Sequence, residues 1–152
     1  ESLVVGTNGF SNINGVEGQL SYRPSKRNFI NFQYSLTHTE AAKFTRTTST
    51  TPKDLSSGTP NRTFSLLGAY GFEHEVDVSM GIYHISDMEW LGDGDAVSGY
   101  TRVDSRIAKG FRLVGQESQL ALIVQNMGNS YKDFFNENEF KTRSYLLFQM
   151  TM

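Results

Sequence analysis

Strict alternation of apolar and polar residues over long segments leaves this chain few folds to choose from. In "GVEGQLSYR", Val16, Gly18, Leu20 and Tyr22 fall on one side, and Glu17, Gln19, Ser21 and Arg23 on the other. "NFINFQYSLTH" sets Ile30, Phe32, Tyr34 and Leu36 against Asn31, Gln33, Ser35 and Thr37. Phe64, Leu66, Gly68, Tyr70 and Phe72 share a face in "TFSLLGAYGF", and Val76, Val78, Met80 and Ile82 oppose Asp77, Ser79 and Gly81 in "EVDVSMGIY". Val103, Ile107, Phe111 and Leu113 then oppose Arg102, Asp104, Arg106 and Arg112. Leu120, Leu122 and Val124 follow, and the chain closes with Leu146, Phe148, Met150 and Met152 against Tyr145, Leu147, Gln149 and Thr151. A side-chain period of two means β-strands with unlike faces. With a short start at Leu3–Thr7 there are about eight strands, most of them roughly 9–12 residues long. No repeat or linker divides the chain, so residues 1–152 read as one all-β, antiparallel unit.

The connections alternate in length. Pro24–Arg27, Glu73–Glu75 and Val114–Ser118 are tight turns, whereas the stretches about Ala41–Asn61, Asp87–Ser98 and Gly128–Thr142 are long and polar. The first of these is rich in Ser, Thr and Pro and reads as a loop, not a folded unit. In an antiparallel meander the tight turns gather at one end and the long loops at the other. Outer-membrane barrels have this asymmetry.

Composition removes several classes. A net charge of −2 offers no basic field for nucleic acid. The absence of cysteine excludes disulfides, thiolate metal sites and thiol nucleophiles. No apolar run approaches the roughly 18 residues of a spanning helix. The chain begins "ESLVVGTNGF", without an initiator methionine or a signal peptide, which suits a processed chain or part of a longer one. Two readings of the alternation stand at this point. In a soluble sandwich or lipocalin-like barrel the apolar face points inward. In a transmembrane β-barrel the apolar face meets lipid and the polar face a lumen. Strand length, loop asymmetry and the large polar groups on one face favour the membrane. So does the placing of aromatics, with Tyr22, Tyr70, Phe72 and Phe111 near the turns and Trp90 and Tyr100 near the loops, as interfacial girdles require.

The C-terminal third resembles the end of TonB-dependent outer-membrane receptors. It follows their "Y-T-x-x-D-x-R-x-A" strand, short turn, "L-x-V-x-N-x-x-x-x-Y-x-D-F" strand and loop, and arginine-led closing strand. Tyr100, Asp104 and Arg106, then Leu122, Val124, Asn126, Tyr131, Asp133 and Phe134, then Arg143 hold those places. Earlier, Gly15, Val16, Glu17, Tyr22 and Pro24 match the family's "G-V-E-x-x-x-x-Y-x-P" strand. One place departs: such barrels usually end in an aromatic residue read by the assembly machinery, and here Met152 stands there, with Phe148 the nearest aromatic in phase. The resemblance implies the last eight or so strands of a barrel of about twenty-two, whose lumen needs a plug. It further implies a bacterial outer-membrane location and uptake of a scarce iron chelate, cobalamin or sugar. The expected partners are outer-membrane lipid and lipopolysaccharide, a plug domain and the TonB energy-coupling system; neither plug nor coupling box lies within residues 1–152. On this view the isolated chain is not expected to form a stable monomeric barrel in detergent. The alternative from another class is a self-contained eight-stranded barrel with an adhesive or structural role.

No serine–histidine or carboxylate pairing makes a catalytic set, so neither an enzyme nor a cofactor is expected. His74, between two glutamates, fits a solvated turn better than a metal ligand, and His38 and His84 fall near strand ends. Asp87, Glu89, Asp93 and Asp95 gather with glycines, but not at EF-hand spacing, so they read as an acidic exposed loop. Trp90, Asp93, Asp95, Tyr131, Phe134 and Phe135, with Phe140 beside them, are the candidate ligand contacts in the long loops. Glu17, Arg23, Asp77, Arg102, Asp104, Arg106 and Arg112 are expected to face a lumen, the arginines pairing with Glu17, Asp77 and Asp104 or with a plug.

Overall fold

The computed structural model describes residues 11–41, 56–89, 96–133 and 135–151. In chain order its strands are β1 (Ser11–Tyr22), β2 (Phe29–Ala41), β3 (Arg62–Gly71), β4 (Val76–Ile85), β5 (Met88–Glu89), β6 (Ala96–Val97), β7 (Tyr100–Leu113), β8 (Gln116–Gln125), β9 (Tyr131–Asp133), β10 (Phe135–Phe140) and β11 (Arg143–Met150). There is no helix among the described residues. Seven strands form one antiparallel sheet in the order β1-β2-β3-β4-β7-β8-β11. The expected strand at Leu3–Thr7 lies outside the described residues, as does most of the first long loop. Among the described residues the sheet is open, with β1 and β11 as its edges.

The short turns fix the register. Between β7 and β8 only Val114 and Gly115 intervene, both with positive φ (51° and 79°). That is the two-residue hairpin whose twist suits antiparallel strands. Glycine takes such a φ freely, whereas branched Val114 is strained there and 93 % exposed. Between β3 and β4 the left-handed residues are His74 and Glu75, and the turn closes when Phe72 N–H donates to Val76 O (2.7 Å).

With the register fixed, like faces meet like across the sheet. Leu20, Phe32, Leu66, Ile82 and Val103 stand opposite one another in succession over five strands. A second apolar row runs Tyr70, Val78, Ile107, Leu122, Leu146 to the far edge. On the other face the row Gln19, Gln33, Ser65, Tyr83, Arg102 is polar throughout.

Burial differs between the faces. Ile107 and Leu122 are 50 % and 43 % exposed, yet their neighbours on the polar face, Ala108 and Ala121, are each 1 % exposed. On β2 and β3 as well, the polar-phase residues are less exposed than the apolar-phase ones. Size contributes alongside face, since Ser118, in phase with Leu122, is 6 % exposed.

Two loops carry structure that alternation did not forecast. β5 pairs with β6, and β9 pairs with β10 through an irregular register. These elements are too short for a periodic signal to appear over them.

Candidate functional site

The polar face is the one on which functional groups converge. Its loop end is tied together by a relay of side chains. Glycine at 81 leaves room for the Tyr83 ring, which a Cβ there would strike at 2.7 Å from Oη. The Arg102 guanidinium lies over that ring, 4.8 Å from its centroid, in a cation–π contact. Arg102 Nη2 pairs with Asp104 Oδ2 at 2.7 Å, and Asp104 Oδ1 accepts from Asn126 N–H at 3.0 Å. Asn126, 3 % exposed and with φ of 53°, donates through Nδ2 to Phe140 O (2.9 Å) and accepts at its carbonyl from the Thr142 hydroxyl (2.7 Å). β7 is thereby coupled to the β9–β10 hairpin.

An aromatic stack lies beside this relay. Tyr100 and Tyr131 are 4.0 Å apart and 12° from parallel, and Tyr131 stacks on Phe140 at 5.1 Å and 11°. The Arg143 guanidinium caps the Phe140 ring at 5.9 Å. Within the hairpin, Ser130 Oγ donates to Glu139 Oε1 (2.7 Å) and Lys141 Nζ approaches Glu139 Oε2 (3.1 Å). The serine hydroxyl first, then Lys141, holds the Glu139 carboxyl below the usual glutamate range.

The turn end of the polar face is charged. Arg27 donates through Nε (3.0 Å) and Nη2 (2.7 Å) to Asp77 Oδ1, and Nη2 also donates to Val76 O (3.3 Å). Glycine at 71 makes this possible, because a Cβ there would lie 2.5 Å from Arg27 Nε. Lys109 lies on the apolar face, and its ammonium donates to the His74 carbonyl at the turns. Its stem runs along apolar surface while its charge reaches the rim.

The register puts Glu17, Asp77, Arg102, Asp104, Arg106 and Arg112 on the polar face. Arg23 follows β1 in the same phase, and its guanidinium lies 4.9 Å from the Phe29 ring centroid. The expected pairings are redrawn. Arg102 does find Asp104, but Asp77 is taken by Arg27, a turn residue whose role alternation cannot show. Arg106 donates to Gln119 Oε1 (2.6 Å), and among the described residues Glu17 makes no ion pair. Tyr100, expected in an interfacial girdle, is in phase with Arg102 and lies on the polar face; counting back two residues from Arg102 shows this. Tyr22, Tyr70, Phe72 and Phe111 do fall on the apolar face near the turns.

Of the loop candidates, Tyr131 is at the centre of the stack and Phe135 opens β10. Trp90, Asp93, Asp95 and Phe134 lie outside the described residues. In the described part of the acidic run, Asp87 Oδ1 accepts from Gly99 N–H, and Glu89 Oε2 accepts from Ser57 Oγ (3.4 Å). No three His, Asp or Glu side chains are grouped to hold a metal ion among the described residues.

Two hollows open on the polar face. One, about 650 Å³, runs from mid-sheet to the loop end and is lined by Glu17, Gln19, Gln33, Ser65, Tyr83 and Tyr100 among others. The other, about 480 Å³ at the turn end, includes Arg27, Glu75, Asp77, Arg112 and Glu117. No protein-family model matches the chain, and a search of curated proteins finds no match.

Proposed function

We propose that this chain is a contiguous wall of a bacterial outer-membrane β-barrel, apolar face to lipid and polar face to the lumen, serving TonB-dependent uptake of a scarce ligand. The observation that carries the reading is the pairing of burial with polarity. On the inner strands the polar face is the more covered one, and the apolar face stands open. A lipocalin-like barrel needs the reverse, and a sandwich needs a second layer over the apolar face. Among the described residues that face has no such cover, with Leu20 64 % and Phe148 51 % exposed. Lipid is the solvent such an open apolar surface suits. Length agrees: a ten-residue strand such as β3 rises roughly 33 Å, or about 25 Å of bilayer once tilted by about 40°. The polar turn groups, and Lys109 reaching the turn end, suit one interface. Edges that are open among the described residues suit a sheet continued by further strands, since an unpaired edge at lipid depth costs several kcal/mol per group.

The uptake role rests on the resemblance to TonB-dependent receptors, carried by Tyr100, Asp104, Arg106, Asn126, Tyr131 and Asp133. Residues 1–152 contain no cysteine, and any cysteine elsewhere in the reading frame is replaced by serine for the test. In intact cells expressing the complete reading frame, a membrane-impermeant maleimide should label Asn129→Cys in the long loop. Lys26→Cys in a short turn should react only after the outer membrane is opened. Equal labelling of both in intact cells, or recovery of the protein in the soluble fraction, overturns the wall reading. Ligand accumulation that persists without the energy-coupling system overturns the uptake role alone.

A further inference from the structure

Building on the outer-membrane reading, we infer that the hollow at the loop end of the polar face binds a neutral, polyhydroxylated ligand of the oligosaccharide class. The polar face sorts its chemistry along the strands. Arg27, Glu75, Asp77, Arg112 and Glu117 line the turn-end hollow. Among the described residues the loop-end hollow has no lysine or arginine in its lining, and Glu17 is its one carboxylate. The guanidinium beside it, that of Arg102 over the Tyr83 ring, is already paired with Asp104, so an anionic chelate or phosphate ester would meet the like charge of Glu17 and a cation whose charge is taken.

Neutral hydrogen-bonding groups take the place of charge. Gln19, Gln33 and Ser65 are register partners on three adjacent strands. Amides and hydroxyls both donate and accept, as the hydroxyls of a sugar ring do. Adjacent strands are about 4.8 Å apart, a step close to the length of one sugar unit, so successive units of a chain crossing the strands would each find a partner. Ser65 Oγ donates only weakly to Gln33 Oε1, at 3.4 Å, which leaves the Gln33 amide N–H groups available. Tyr83 and Tyr100 add aromatic surface at the loop end, against which the C–H face of a sugar can pack. The Tyr83 ring is held by Arg102 and the Tyr100 ring by Tyr131, so little order is lost when a ligand arrives. A volume of about 650 Å³ is in the range of ligand sites.

The test uses outer-membrane vesicles from cells expressing the complete reading frame. The probes are radiolabelled neutral hexasaccharides of glucose, mannose and xylose, an oligogalacturonate and an anionic ferric catecholate. At least one neutral hexasaccharide should bind in preference to both anionic probes. Tyr100→Ala should weaken that binding about tenfold and Gln33→Ala about fivefold, the scale of one lost packing face and one neutral hydrogen bond. Tyr100→Phe should restore it, and Met80→Leu on the apolar face should leave it unchanged. Preference for an anionic probe, or no neutral binding while Asn129→Cys still labels from outside, overturns the inference and leaves the wall reading standing. Neutral binding indifferent to Tyr100→Ala and Gln33→Ala moves the site elsewhere and also overturns it. Failure of the labelling test removes the wall reading and this inference together.

Discussion

The two faces of the sheet share every strand and every turn, yet they are organised on different principles. The apolar face repeats one chemistry along its length: the row from Leu20 to Val103 and the row from Tyr70 to Leu146 each cross five strands and together reach both edges, with the charge of Lys109 beside them at the turn end. Dispersion and desolvation are non-directional, so such a face needs no partner-by-partner matching. The polar face is a set of specific pairings. Arg102 answers Asp104, Arg27 answers Asp77, Arg106 answers Gln119, and between them runs the neutral row Gln19–Gln33–Ser65 on the same face. A uniform face fits a bulk medium, and a patterned one fits discrete groups of another molecule.

The sharpest break of this comparison is a charge placed on each face. In the complete protein, Leu122→Arg near the centre of the apolar face should cost about 2–4 kcal/mol of folding free energy into bilayers. Ser35→Arg, on the polar face opposite Glu17, should cost less than about 1 kcal/mol, because an opposite-charge cross-strand pair offsets part of the change. Equal costs, measured by denaturant titration in lipid vesicles, would erase the difference between the faces.

A volume change comes next. Ala108 and Ala121 are register partners, each 1 % exposed, at the centre of the polar face. Ala121→Leu should destabilise by about 1–3 kcal/mol through overpacking. Ile107→Leu, on the open apolar face, should shift the same unfolding midpoint little. A tolerant Ala121 would mean that the polar face is packed no more closely than the apolar one.

The smallest effect belongs to the turn-end ion pair. Arg27 and Asp77 have side chains 47 % and 35 % exposed, so screening limits their coupling to about 0.2–1 kcal/mol. A double-mutant cycle with Arg27→Ala and Asp77→Ala should return a value in that range and shrink in high salt. A larger coupling that resists salt would place this pair in a drier setting than the turn end of an open polar face.

Much of the architecture was legible in the sequence because a period of two needs only the order of residues. The faces of seven strands, the tight turns at one end and the phase of Glu17, Asp77, Arg102, Asp104, Arg106 and Arg112 all follow from it. Alternation marks only which side a residue is on. The assignment of Asp77 to Arg27 depends on a turn that folds back beside β4 through the gap at Gly71. The stack of Tyr100, Tyr131 and Phe140 depends on a hairpin of three- and six-residue strands, too short to carry periodicity.

The order of residues alone specifies an antiparallel β-sheet with one apolar and one polar face, because side-chain direction along a strand is set by backbone geometry. Which face is the more closely covered emerges only when the strands are laid side by side, because burial depends on neighbours across the sheet. Its trace is the burial of Ala108 and Ala121 beside the exposed Ile107 and Leu122.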